Sequence, residues 1–196
     1  MTNPEVDPTP TRGDALLIVD VQNDFLPGGA LGVPKGDEVI PALNPWIKRF
    51  ESGRLPQFAT RDWHPADHCS FIPQGGIWPP HCIAETEGAR FAPSLQLSRE
   101  TVVISKASTS ENDAYSGFQG TDLARQLRDA GVRRLFVGGL ATDYCVLHTV
   151  LDGLREGFVV YVIEAAIRAV EVNPGDGTQA LQQMLATGAG VIRAEA

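Results

Sequence analysis

The stretch RRLFVGGLATDYCV, residues 133–146, decides the fold of this chain. Its apolar run from Leu135 to Val137 is short and continuous, which is typical of a strand buried on both faces of a parallel sheet. The glycines at 138–139 allow a tight exit from that strand. A helix should follow, with Thr142 or Asp143 as its cap.

Cys145 falls in the first turn of that predicted helix. The positive end of a helix dipole favours the reactive thiolate and should lower the pKa of Cys145. The carboxyl edge of a parallel sheet is also where α/β folds bind ligands. The alternative is a small buried hydrophobe, which is the commoner fate of a lone cysteine. This stretch alone leaves both interpretations open.

Length and charge narrow the class of protein. The chain has 196 residues and a net charge of −8. We expect one domain over residues 13–196, after a polar, proline-rich tail at residues 1–12 that is disordered or extended. The negative charge argues against a nucleic-acid surface, and no apolar run is long enough to span a membrane.

The cysteines indicate the compartment. There are three of them, an odd number without paired spacing, and the N-terminus lacks an apolar signal core. We therefore expect reduced thiols in a cytoplasmic protein.

Apolar runs alternate with helix-like segments along the chain. Strands are predicted at residues 15–19, 57–60, 101–105, 135–137, 158–163 and 190–192, and helices at about 37–50, 121–130 and 177–187, besides the one that follows residue 142. This alternation favours an α/β fold with helices on both faces of a parallel sheet. The long segment at residues 62–98 reads as a functional loop.

Each of three strands with a buried pattern is followed by a reactive side chain. These side chains are Asp20, Lys106 and Cys145. Because parallel strands end at one edge of a sheet, these groups can converge. A cysteine nucleophile needs a base. Asp20 can take its proton, and Lys106 can hold the carboxylate and favour negative charge on sulfur. Each residue also has a structural explanation, as a turn cap, a solvated charge or packing, but their coincidence favours a catalytic triad.

The turn before Cys145 could also stabilise charge. The backbone N–H groups of Ala141 and Cys145 lie where an oxyanion would form after attack by the thiolate. We therefore predict an oxyanion hole at these two residues.

The loop at residues 62–98 contains candidate metal ligands. Asp62 and His64 are two residues apart, so an extended chain points both side chains the same way. His81 adds a second imidazole from a proline-rich turn, and this set suits Zn²⁺, Fe²⁺ or Mn²⁺. His68 could be a fourth ligand or a supporting residue, and Cys82 is interpreted as packing. A loop histidine is more often simply solvated or hydrogen-bonded.

Taken together, six motifs resemble the pyrazinamidase/nicotinamidase branch of the isochorismatase-like cysteine hydrolases. They are DVQNDF at 20–25, DWHP at 62–65, WPPHC at 78–82, Lys106, DAYSGF at 113–118 and GLATDYCV at 139–146. The resemblance covers about residues 14–193 in the same order. One departure is Ala107, which stands where many members have glycine.

The resemblance implies a three-layer, doubly wound sheet of six parallel strands in the order 3-2-1-4-5-6, with a cis peptide between Leu140 and Ala141. It also assigns roles to site residues. The metal ligands would be Asp62, His64 and His81, with His68 as a fourth ligand found in some members, and the aromatic walls around a flat heteroaromatic ring would be Phe25, Trp78 and Tyr115.

The implied activity is hydrolysis of nicotinamide to nicotinate and ammonia through a thioester on Cys145, a step of NAD salvage. Pyrazinamide would be a second substrate. The resemblance also implies one divalent metal ion that would hold the ring nitrogen of the substrate. Zinc is the expected metal, with iron or manganese as alternatives. The alternatives are another amidase of the superfamily, or a metal- or ligand-binding protein without activity. We expect no nucleic-acid or membrane partner, and a homo-oligomer remains open.

Overall fold

The computed structural model describes residues 9–193 and contains one six-stranded sheet within that range. All strand pairs are parallel, and the order β3-β2-β1-β4-β5-β6 confirms the fold class and the strand order that the resemblance implies. The strands are β1 (Asp14–Val19), β2 (Gln57–Asp62), β3 (Val102–Lys106), β4 (Arg134–Leu140), β5 (Val159–Arg168) and β6 (Gly190–Ile192).

Helices cover both faces of the sheet, as expected. The main helices are α1 (Val39–Ser52), α2 (Leu123–Asp129), α3 (Leu147–Arg155) and α4 (Asp176–Thr187). Side chains of β1 alternate between two cores, since Leu16 and Ile18 pack on the α1 side while Leu17 packs with residues of α2, α3 and α4. All of β1 is buried, as its unbroken apolar run predicts.

Two strands differ from the prediction. β5 extends to Arg168 rather than ending at residue 163, because its pairing with β4 shifts in register between Val137 and Gly139 and then resumes. β3 is an edge strand, so Val102 and Val103 are exposed and the expectation of a buried strand is wrong there.

The helix start near Cys145 also differs. Residues Thr142–Val146 form a π-helical turn that leads into α3, and no side chain caps it. The predicted cap is therefore wrong. The carboxylate of Asp143 instead accepts hydrogen bonds from the backbone N–H groups of Val170 (2.9 Å) and Glu171 (3.0 Å).

The predicted tail lies largely outside the described residues, which begin at position 9. Just before β1, the backbone N–H of Thr11 donates to Asp14 Oδ2 at 2.6 Å. The single-domain boundary at residue 13 stays a prediction. Within residues 9–193, no helix has the length and apolar character needed to cross a membrane.

Candidate active site

The sheet brings Asp20, Lys106 and Cys145 together at its carboxyl edge. Lys106 lies opposite Asp62 in the last pair of the β2–β3 ladder, and its side chain reaches across β2. Its Nζ is 3.0 Å from Asp20 Oδ2, 3.5 Å from Cys145 Sγ and 3.0 Å from the carbonyl of Ala114, and it also donates to Asp62 Oδ1. One buried ammonium therefore joins two carboxylates and the thiol.

Asp20 leaves β1 in a left-handed conformation, with φ at 49°. Its Oδ1 accepts a hydrogen bond of 2.7 Å from Thr60 Oγ1, a partner that the sequence did not reveal. Its Oδ2 faces the ammonium of Lys106, and no aligned hydrogen bond reaches it from the described residues. A carboxylate oxygen of Asp20 lies within 4.8 Å of Cys145 Sγ. This geometry gives the thiol proton an acceptor.

Burial controls the protonation of these groups. It raises the pKa of Asp20, and it raises that of Cys145 well above its usual value even though Lys106 acts in the opposite direction. The expected lowering of the Cys145 pKa is therefore wrong, because burial outweighs the start of a helix. Burial opposes the charge of Lys106 too, but Asp20 and Asp62 outweigh it and raise the pKa of Lys106. The thiol thus keeps its proton until a base removes it, and a raised pKa makes Asp20 a stronger base.

The last residues of β4 require glycine at position 139. Its φ is +131°, and a Cβ atom there would lie 2.0 Å from the carbonyl oxygen of Val19. The Leu140–Ala141 peptide that follows is cis, as the resemblance implies. Ala141 and Cys145 both line the pocket that contains the thiol, and the oxyanion hole at these two residues stays a prediction.

Asp62, His64 and His81 form a buried group whose donor atoms lie within 4.8 Å of one another. His64 Nδ1 is 3.0 Å from the carbonyl of Ala107, and His81 Nδ1 is 2.8 Å from that of Pro79. Each contact assigns the ring proton to Nδ1 and leaves Nε2 as a donor to a metal, which is the usual arrangement of metal-binding histidines. Burial lowers the pKa of His81, which favours the neutral ring that a metal requires. The three side chains therefore fit a divalent cation.

His68 lies beside this group but is not part of it. Its ring is 4.2 Å from the ring of His64 between centroids. Its Nδ1 contacts Ser70 Oγ at 2.7 Å and its Nε2 contacts the carbonyl of Asn112 at 3.2 Å. Because both nitrogens have protein partners, His68 is outside the three-residue donor group, and its part as a fourth ligand or as a support for the ligands stays a prediction. Cys82 is fully buried, and burial raises the pKa of its thiol.

A pocket of about 470 Å³ of empty space, its open mouth included, joins the thiol to the metal donors. Phe25 lies beside His81, with 5.6 Å between ring centroids. Trp78 Nε1 donates to the Tyr115 hydroxyl at 3.0 Å. Tyr144 packs edge-on against Trp78 at 5.1 Å and completes this wall. Tyr144 was not among the predicted pocket residues, although its place directly before Cys145 is a usable signal.

Comparisons with known proteins agree on one family. The isochorismatase domain model matches residues 14–196. The chain is 41% identical to the nicotinamidase of Escherichia coli, over 89% of this chain and 92% of that protein. The zinc complex of the Pyrococcus horikoshii pyrazinamidase has a TM-score of 0.89 and 46% identity, over 93% of this chain and 99% of the other. An L. infantum protein in complex with nicotinate has a TM-score of 0.85 and 36% identity, over 92% of both chains.

Proposed function

The chain belongs to the isochorismatase family, and from this we propose that it is an amide hydrolase that converts nicotinamide to nicotinate and ammonia. One observation carries the proposal: a buried cysteine, flanked by a carboxylate and an ammonium, opens into the same aromatic pocket as a three-residue metal-donor group. Pyrazinamide should also be hydrolysed, since it presents a carboxamide on a flat ring with nitrogen atoms.

The pocket suits a flat heteroaromatic ring. Phe25 supplies an apolar face near His81, and Trp78, Tyr115 and Tyr144 form an aromatic wall. Contact with these rings would fix the orientation of the substrate and bring its carboxamide carbon to Cys145, which lowers the entropic cost of the reaction. The apolar contacts need to recognise only the ring of the substrate, because the groups that react with its carboxamide all lie at the sheet edge.

We assign one divalent cation to Asp62, His64 and His81. Zinc suits a set of two imidazoles and one carboxylate with an open position, and we propose zinc rather than iron or manganese. When bound, the ion supplies an electrophilic anchor for the ring nitrogen of the substrate. Asp62 also bonds to Lys106, so the same carboxylate links the metal group to the triad.

Acylation begins when Asp20 takes the thiol proton from Cys145. The sulfur attacks the carboxamide carbon, and the backbone N–H groups of Ala141 and Cys145 stabilise the oxyanion. Asp20 then returns the proton to the nitrogen as the C–N bond breaks. Ammonia leaves, and a thioester remains on Cys145. Throughout, Lys106 balances the negative charge that moves between the sulfur and Asp20.

Hydrolysis of the thioester uses Asp20 again. It takes a proton from a water molecule, and the resulting hydroxide attacks the thioester carbon. The C–S bond breaks, the sulfur recovers the proton through Asp20, and nicotinate leaves. The cytoplasmic location and the lack of nucleic-acid and membrane partners stay predictions from the sequence. Whether the protein forms a homo-oligomer also stays open.

Ammonia release from nicotinamide by the purified protein tests this function. We expect turnover that a chelator abolishes and added zinc restores. Cys145→Ala should lower turnover by about 10⁴-fold or more, since nucleophile removal has effects of this order in hydrolases, while the zinc content stays at the parent level. Ordinary turnover by Cys145→Ala would contradict the thioester. Activity of the parent on a carbamoyl substrate but not on nicotinamide would instead indicate a different amidase.

A further inference from the structure

Gln22 is fully buried and bonds to the backbone of Asp62 in both directions. Its Nε2 donates to the carbonyl of Asp62 at 2.7 Å, and its Oε1 accepts from the backbone N–H of Asp62 at 2.8 Å. The same Nε2 donates to the carbonyl of Ala89 at 2.9 Å. One side-chain amide therefore joins the end of β2 to the far part of the loop at residues 62–98.

The side-chain amide of Gln22 extends the hydrogen-bond ladder between β1 and β2 beyond the point where the β1 backbone stops pairing. The β1–β2 register ends with Val19 opposite Thr60, and the chain then turns away at Asp20. No β1 residue is paired with Asp62 in that register. The amide of Gln22 occupies the open side and supplies the donor and the acceptor that a neighbouring strand would have offered.

The position of Asp62 matters because its two carboxylate oxygens make different contacts. Oδ1 accepts from Lys106, and Oδ2 is 3.6 Å from Nε2 of His64, within the metal-donor group. A small rotation of the Asp62 backbone would turn one oxygen away from the ammonium and the other away from the histidines.

We propose that Gln22 is a positioning residue for the metal site: its amide holds the backbone of Asp62 so that the carboxylate faces Lys106 and the cation together. The inference rests on the proposed function only in taking Asp62, His64 and His81 as the metal ligands. Gln22 is neither in the lining of the pocket nor in the metal-donor group, so it acts through Asp62.

Zinc affinity tests the proposal without any substrate. Competition between the protein and a chromophoric chelator gives the zinc dissociation constant of the parent and of Gln22→Met, which keeps a similar shape but removes the amide. We expect affinity to fall by about 10–100-fold, the usual effect of losing a group that orients a metal ligand. Gln22→Asn keeps an amide on a shorter side chain and should lose less.

Gln57 provides a matched control. It is another buried glutamine, at the start of β2, and its Oε1 has no hydrogen-bond partner among the described residues. Gln57→Met should bind zinc as the parent does, whatever its melting temperature. An equal loss of zinc affinity in Gln57→Met would show a general loosening of β2 and overturn the proposal.

Two other results would also overturn it. One is a folded Gln22→Met protein, with the circular dichroism of the parent, that binds zinc as tightly as the parent. The other is failure of both Gln22 variants to fold, which would assign Gln22 to folding alone. If Gln22→Met does not fold and Gln22→Asn does, normal zinc affinity in Gln22→Asn counts against the proposal and weaker affinity supports it. Nicotinamide hydrolysis by the parent is measured separately, so an inactive parent that binds zinc would refute the function and not this inference.

Discussion

Strand β1 has an aspartate paired with a cation at each end, and the two pairs differ in how completely they are satisfied. At the amino end, Asp14 lies opposite Arg134 in the ladder, and both of its oxygens accept from that guanidinium, at 2.7 and 2.6 Å. Just beyond the carboxyl end, Asp20 Oδ2 lies 3.0 Å from Lys106 Nζ, and among the described residues this ion pair lacks the aligned hydrogen bonds of the Asp14–Arg134 pair.

The surroundings of the two cations differ as well. The Arg134 side chain is 25% exposed, and it lies over the rings of Phe136 and Tyr161. The Lys106 side chain is fully buried and faces two carboxylates and a thiol. A pair whose oxygens are satisfied holds two strands together. A pair whose carboxylate oxygen faces a shared ammonium without an aligned hydrogen bond, and lies near a thiol, can also take up a proton, and this separates a structural ion pair from a reactive one.

Removal of Lys106 should have the largest effect on stability and turnover. Lys106→Met leaves Asp20 and Asp62 as buried charges without their cation, which should cost about 3–5 kcal/mol of unfolding free energy. Turnover of nicotinamide should fall by about 10²-fold or more, because the base and the thiolate lose their balancing charge. Urea unfolding and ammonia release measure the two effects.

Lys106→Arg is the matched variant for this position. It keeps the charge but places a wider, planar group in a site shaped for an ammonium. We expect stability closer to the parent than that of Lys106→Met, with turnover still reduced. If Lys106→Met kept the stability and turnover of the parent, the buried charge cluster would have no role.

At the other end of β1, the effect should be confined to stability. Arg134→Met removes a guanidinium that bonds to both oxygens of Asp14, while Thr11 still donates to that carboxylate. We expect a loss of about 1–3 kcal/mol of unfolding free energy, as for hydrogen bonds to charged groups, and a kcat within about twofold of the parent, since Arg134 begins β4 and the triad lies at the opposite edge of the sheet. A large fall in kcat with unchanged KM would show that the two ends of the strand are coupled.

The sequence predicted the fold well because buried parallel strands leave unbroken apolar runs, and these runs also indicated which polar residues lie at the sheet edge. Asp20 and Lys106 were found in this way. The strand order came from the resemblance, since patterns along the chain do not say which strands are neighbours.

What the sequence could not predict depends on contacts between distant segments. Asp143 looks like a helix cap, but its partners are Val170 and Glu171, reached only after folding. The sequence also left open whether His68 is a ligand or a supporting residue, because its contacts with Ser70 and Asn112 form between segments that are far apart in the chain or fold back on themselves. The prediction of a low thiol pKa failed for the same reason: a helix start is visible in local sequence, whereas full burial is a property of the whole fold.

The smallest expected effect concerns the backbone at the two ends of the sheet. The turn before β1 uses Gly13 for its left-handed residue, with φ at +96°, whereas Ala107, directly after Lys106, has φ at 48°. A residue with a Cβ atom is disfavoured in that conformation by roughly 1–2 kcal/mol, and glycine is not. Ala107→Gly should therefore raise the unfolding free energy, by about 0.5–1 kcal/mol once the greater freedom of glycine in the unfolded chain is subtracted.

Activity should not change in Ala107→Gly, because the carbonyl that contacts His64 Nδ1 belongs to the backbone and is kept. Gly13→Ala is the opposite change at the other end of the sheet. It introduces a Cβ atom at positive φ and should lower stability by a similar amount. Urea unfolding of both variants measures the two signs. A loss of stability in Ala107→Gly would mean that the methyl group of Ala107 packs favourably enough to outweigh its backbone strain, and the contrast between a relaxed end and a strained end of the sheet would then be wrong.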